Sequence, residues 1–124
     1  MVIEFYIVGG YIKIPKNVFI QEMLSKESLI RSLLNWKGSK DFMIKHPMIS
    51  EPDNDNIITI NYDSESDVSV GESPKEILGS LKARYKDKVK GHVACRAVYS
   101  AYGGIFTFSV DLNSDDDKID YKMN

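Results

Sequence analysis

Two Gly-Gly pairs, each set inside a run of β-branched and aromatic residues, constrain this chain most: YIVGGYIKI at 6–14 and VYSAYGGIFTF at 98–108. Glycine reaches positive φ without steric cost, so Gly-Gly between two strand-forming runs reads as the two-residue corner of a β-hairpin. For the first pair, residues 2–8 and 11–14 are the arms, with Val8 and Tyr11 closing the turn. Ile3, Phe5, Ile7, Ile12 and Ile14 then share a face expected to be core, and Glu4, Tyr6, Val8, Tyr11 and Lys13 share the other. Pro15 has no N–H to continue the ladder.

For the second pair, the arms are 92–102 and 105–112, closed by Tyr102 and Ile105. Tyr99 then opposes Phe108, Ala97 opposes Val110 and Arg96 opposes Asp111. Cys95, Ala97, Tyr99, Ala101, Phe106, Phe108, Val110 and Leu112 form the apolar face, and Arg96, Val98, Ser100, Tyr102, Ile105, Thr107, Ser109 and Asp111 the other. Neither pair has the Lys and Ser/Thr of a phosphate-binding loop, and neither opens a helix that could receive an anion.

Between the two hairpins the periodicity changes. Residues 17–36 show partial helical spacing through Ile20, Met23, Leu24, Ile30, Leu33 and Leu34, with a break expected near Ser25 and a stop at Gly38 after Trp36. SPKE at 73–76 is a capping box, with Ser73 as N-cap, Pro74 at N1 and Glu76 at N3. It opens a helix expected to run to Val89, with Ile77, Leu78, Leu81 and Tyr85 inward and Gly91 closing it. IITINY at 57–62 is a strand, and short strands are expected at Val68–Val70 and Phe42–Ile44 in otherwise irregular surroundings. NSDDD at 113–117 is a turn before KIDYKM, which alternates like a charged edge strand. This mixture predicts a single α+β domain over 1–124: a mostly antiparallel sheet built from two Gly-Gly hairpins, with two helices packed on one face.

Composition removes several functions. No apolar run is long enough to span a bilayer, and MVIEFYIVGG lacks the basic start of a secretory signal. One cysteine allows no internal disulfide, so a cytoplasmic setting is expected, the host's if the chain is viral. The net charge of −2 is unevenly spread: residues 51–72 carry seven acids and no base, and residues 73–96 seven bases and two acids. A dedicated nucleic-acid binder is usually basic throughout.

Chemical motifs are sparse. Cys95 falls on an apolar face, where a thiol is inert, and nothing in the sequence joins His46 to His92. There is no CxxC, HxxxH or HExxH, and Asp63, Glu65 and Asp67, like Asp115–Asp117, read as solvated acidic loops. No cofactor, metal centre or catalytic residue is therefore expected. The expected function is non-enzymatic protein–protein binding, through Tyr6, Tyr11 and Tyr102 on the outer sheet face and Asp63, Glu65 and Asp67 in the acidic loop. Within that class an inhibitor of a larger machine is expected, of the phage anti-defence or toxin-immunity kind. One alternative is a nucleic-acid-binding accessory protein using Lys82, Arg84 and Lys86 on a basic helix over 74–90. A second is a small enzyme with a His/carboxylate site. The partner is expected to be a protein, with homo-oligomerisation through edge strands also open and no role for a membrane.

Overall fold

The computed structural model describes residues 3–34, 46–63, 68–99, 101 and 103–124. In chain order the elements are β1 (Ile3–Pro15), α1 (Lys16–Leu24), α2 (Leu29–Leu34), β2 (Met48–Ile49), β3 (Ile57–Tyr62) and β4 (Val68–Val70). They continue with α3 (Pro74–Tyr85), a 3₁₀ turn at Lys86–Lys88, β5 (Lys90–Tyr99), β6 (Gly104–Asp111) and β7 (Asp120–Met123). All described strands join one antiparallel sheet in the order β2-β3-β1-β5-β6-β7, with β4 also pairing β1. The α+β class and the antiparallel sheet follow the sequence expectation, and the described residues form three α-helices where two were expected.

The first Gly-Gly pair does not turn the chain. β1 runs unbroken through Gly9 and Gly10. One edge pairs with β5 along Ile3–Lys13; the other pairs with β4 at Phe5–Ile7 and with β3 at Gly10–Pro15. The glycines lie beside a β-bulge: Ile7 faces Cys95, Gly9 faces Ala94, and Val8 is the extra residue between them. Gly10 has φ +103°, and a Cβ there would lie 2.0 Å from the His92 carbonyl oxygen. Gly91 is the counterpart on β5, with φ +146° and 2.3 Å between such a Cβ and the Tyr11 carbonyl oxygen. Gly91 therefore lets two backbones approach and does not close a helix. The expected face assignment survives because a one-residue bulge reverses the side-chain alternation, as a two-residue turn would. Ile7, Ile12 and Ile14 are all fully buried.

The second pair does mark a hairpin, with a different register. Tyr99 faces Gly104, Cys95 faces Phe108 and Arg96 faces Thr107, so four residues separate the strands rather than two. Asp111 lies opposite His92, not Arg96. The expected and observed registers differ by an even number of residues, so each side chain keeps its face. Val93, Cys95, Ala97, Phe108, Val110 and Leu112 all enter the core.

The helices cover this inner face. α3 starts where SPKE places it, with Pro74 at its first turn, but the Ser73 side chain makes no cap bond. The Ser73 carbonyl instead accepts from the Glu76 and Ile77 N–H groups. α3 buries Ile77, Leu78 and Leu81 and half-buries Tyr85. It ends at Tyr85, short of Val89, because Lys86 takes positive φ (54°). The break after α1 lies at Ser25 as expected, and Ser28 caps α2, its Oγ accepting from the Arg31 N–H. α1 turns a different side inward from the apolar spacing: Val18 and Glu22 are buried, while Ile20 and Leu24 are exposed. Trp36, Gly38 and the strand expected at Phe42–Ile44 lie outside the described residues.

Candidate interaction surface

The described helices leave the opposite sheet face without a layer over it. Every outward position of β1, β5 and β6 is half-buried or exposed, while the inward positions beneath α1–α3 are buried. Alternation places two cross-strand rows on this outer face. Tyr6, Arg96 and Thr107 lie side by side in one row, and Tyr11, His92 and Asp111 in the other.

Local contacts hold these side chains in place. Tyr6 donates its hydroxyl to the Glu4 carboxylate (2.6 Å), and the Arg96 guanidinium lies 5.0 Å above the Tyr6 ring. The Lys13 ammonium lies 5.8 Å from the Tyr11 ring centre. Cation–π contacts of this kind are each worth about 0.5–1 kcal/mol at exposed sites. His92 Nδ1 lies 3.2 Å from an Asp111 oxygen. The Asn113 backbone N–H, then His92, hold the Asp111 carboxyl below its ordinary value. Ser69, Thr59, Thr107 and Ser109 fill the surrounding outward positions. Held tyrosines and an arginine among small polar residues suit molecular contact, because little side-chain entropy remains to be lost on binding.

Of the residues expected to bind a protein, Tyr6 and Tyr11 lie on this face and Asp63 is exposed at the end of β3. Tyr102, Glu65 and Asp67 lie outside the described residues. Asp63 follows the end of β3; β3 ends opposite Gly10 and β4 begins opposite Ile7, on either side of the β1 bulge.

The basic helix differs from expectation. Lys82 is fully buried and is not part of an exposed stripe. Its Nζ donates to the carbonyls of Val89 (2.8 Å), Leu112 (2.7 Å) and Ser114 (2.7 Å). Three acceptors match the three donors of an ammonium, so the site suits the charged form. Burial, then the nearby Lys90, draws the amine below its ordinary pKa, against the pull of Asp116, Asp87 and Asp115. Lys90 also binds this loop, through the Asn113 and Ser114 carbonyls and Asp115. The acidic 113–117 turn is thus clasped by two lysines. Arg84 is half-exposed but paired with Glu22 (2.9 Å), and only Lys86 of the three expected contacts is simply exposed.

Glu22 was not singled out by the sequence reading. Its side chain is 1% exposed and joins three helices. It accepts from Arg84 and Tyr85 of α3 and from the Leu29 N–H at the start of α2. Burial alone would raise its pKa; the hydrogen bonds from Tyr85, Arg84 and Leu29 outweigh burial and hold the carboxyl below its ordinary value. A single acid among apolar helix residues carries no spacing signal, so only the packing reveals it.

Burial pushes the Cys95 thiol up to about 12. His46 contacts the Leu34 carbonyl at the end of α2, whereas His92 engages Asp111 on the outer face. No three His, Cys, Asp or Glu side chains among the described residues are grouped to hold a metal ion. No described helix is long and apolar enough to cross a membrane. Comparison with family models, curated proteins and solved structures finds nothing that matches this chain.

Proposed function

We propose that this protein acts by binding another protein through the outer face of its sheet and carries out no chemistry of its own. The supporting observation is the pair of rows Tyr6–Arg96–Thr107 and Tyr11–His92–Asp111 on a face that no described helix covers. Tyrosine and arginine are the residue types that dominate contact energies. The acid-rich 51–72 segment supports a narrower reading: an inhibitor of a larger machine, of the phage anti-defence or toxin-immunity kind, competing for a basic surface in the cytoplasm.

The test is capture of a specific partner from host lysate, followed by measured affinity. Tyr6→Ala and Arg96→Ala should each weaken that affinity roughly 30-fold, the hot-spot range, while costing the fold only about 0.5–1 kcal/mol, the worth of the cation–π contact they share. Unchanged affinity in both variants sinks the assignment to this face. Neutralising Asp63, Glu65 and Asp67 together should lower capture of a basic partner and steepen no salt dependence. Retained capture removes the competitor reading while leaving the sheet face intact.

A further inference from the structure

β7 is the longest of the three described strands with a single strand neighbour, with four residues against three in β4 and two in β2. All four are exposed, and no described strand pairs with its outer edge. On the inner side of that edge, Tyr121 is 40% and Met123 56% exposed, beside Phe106 at 44%. Phe108 and Tyr121 pack together, with ring centres 5.5 Å apart. This apolar strip faces the helix side of the sheet, so it is separate from the tyrosine-bearing outer face.

We propose that two copies of this chain pair antiparallel through β7, about a two-fold axis at Tyr121. Backbone geometry narrows the choice of register. β7 pairs with β6 as Phe108↔Met123, Ser109↔Lys122, Val110↔Tyr121 and Asp111↔Asp120. The Asn124 N–H donates to the Thr107 carbonyl (3.1 Å), which continues this ladder and makes 124/107 a hydrogen-bonded pair. Hydrogen-bonded pairs alternate along an antiparallel ladder, so residues 120, 122 and 124 point their peptide groups at β6. Ile119, Tyr121 and Met123 point theirs away, at the free edge. A partner edge must therefore set odd residues opposite odd residues.

Charge then selects one register. With Tyr121 opposite its own copy, Asp120 lies across from Lys122 of the second copy and Lys122 from its Asp120. Ile119 meets Met123 on the helix side. A shift of two residues one way opposes Asp120 to Asp120 and Lys118 to Lys122; the same shift the other way opposes Lys122 to Lys122. Opposite charges across a strand pair stabilise and like charges repel, so of these three registers only the Tyr121-centred one is favourable; a shift of four residues the first way would have to pair 116–118, which lie outside β7. An isologous two-fold contact also closes on itself and uses the β7 edge of both copies at once.

Sedimentation or light scattering on the full chain across the micromolar range tests this. The wild type should reach twice the 14.1 kDa chain mass. Asp120→Lys and Lys122→Asp should each raise the dimer dissociation constant roughly tenfold or more, since each reverses both symmetric pairs. An equimolar mixture of the two variants should regain the dimer, because lysines on one copy then face aspartates on the other. A wild type that stays monomeric overturns the proposal. So does a dimer indifferent to the single changes, or one that the mixture does not restore. Recovery on mixing also shows that both variants fold, and it does not depend on which protein the outer face binds.

Discussion

Single residues hold the helix layer together. Glu22 is the acceptor for Arg84, Tyr85 and the Leu29 N–H, and its removal would leave the part-buried Tyr85 hydroxyl and Leu29 N–H without that acceptor. Glu22→Gln should destabilise the fold by about 2–3 kcal/mol at neutral pH, read from denaturant unfolding. The pH dependence has a definite sign. The folded carboxyl titrates below its ordinary value of 4.5, so the unfolded chain binds its proton more tightly. The stabilisation is therefore present above pH 4.5 and is lost as pH falls through the folded value. The variant should lose that part of the acid limb, and an unchanged acid limb would show that Glu22 is not its source. Lys82 is the basic counterpart: a residue that looks like solvated charge in the sequence becomes a three-carbonyl clasp beneath the 112–114 chain.

At the scale of elements, the two Gly-Gly pairs separate into different devices. At Gly10 positive φ and a backbone only 2.0 Å from any Cβ act together, so Gly10→Ala must push β1 and β5 apart. The expected cost is more than about 3 kcal/mol, with loss of folding as its limit. Gly104 has nothing within 4 Å of a Cβ, and Gly104→Ala should change stability by less than about 0.5 kcal/mol. Comparable midpoints for the two variants in parallel urea titrations would contradict the bulge. The same contrast shows what was legible. IITINY at 57–62, the start of α3 at Pro74 and the inward faces of β5 and β6 follow from period and caps alone. The β5–β6 register did not, because shifts by an even number of residues leave every face unchanged, and turn residues alone do not separate a two-residue from a four-residue loop.

For the whole molecule, β1 and β5 are the two central strands of the sheet, and the core lies between them and α1–α3. Amides of Ile12, Val93 and Cys95 should therefore exchange with solvent only on global unfolding, while those of Met48 and Ile49 should exchange through local opening. Native-state hydrogen exchange with equal protection at β2 and β5 would refute this hierarchy. The sequence by itself determined the fold class, the inward face of nearly every strand and where α3 begins, because these depend on local period and backbone chemistry. Tertiary structure alone decided that Gly9-Gly10 bends a continuous strand. A tight turn would use the positive φ that Gly10 adopts in this bulge, and both reverse the alternation, so they differ in the partners β1 finds in β3, β4 and β5. It likewise decided that Lys82 is buried and Glu22 shared among three helices, since the carbonyls and donors that make those burials favourable come from distant parts of the chain.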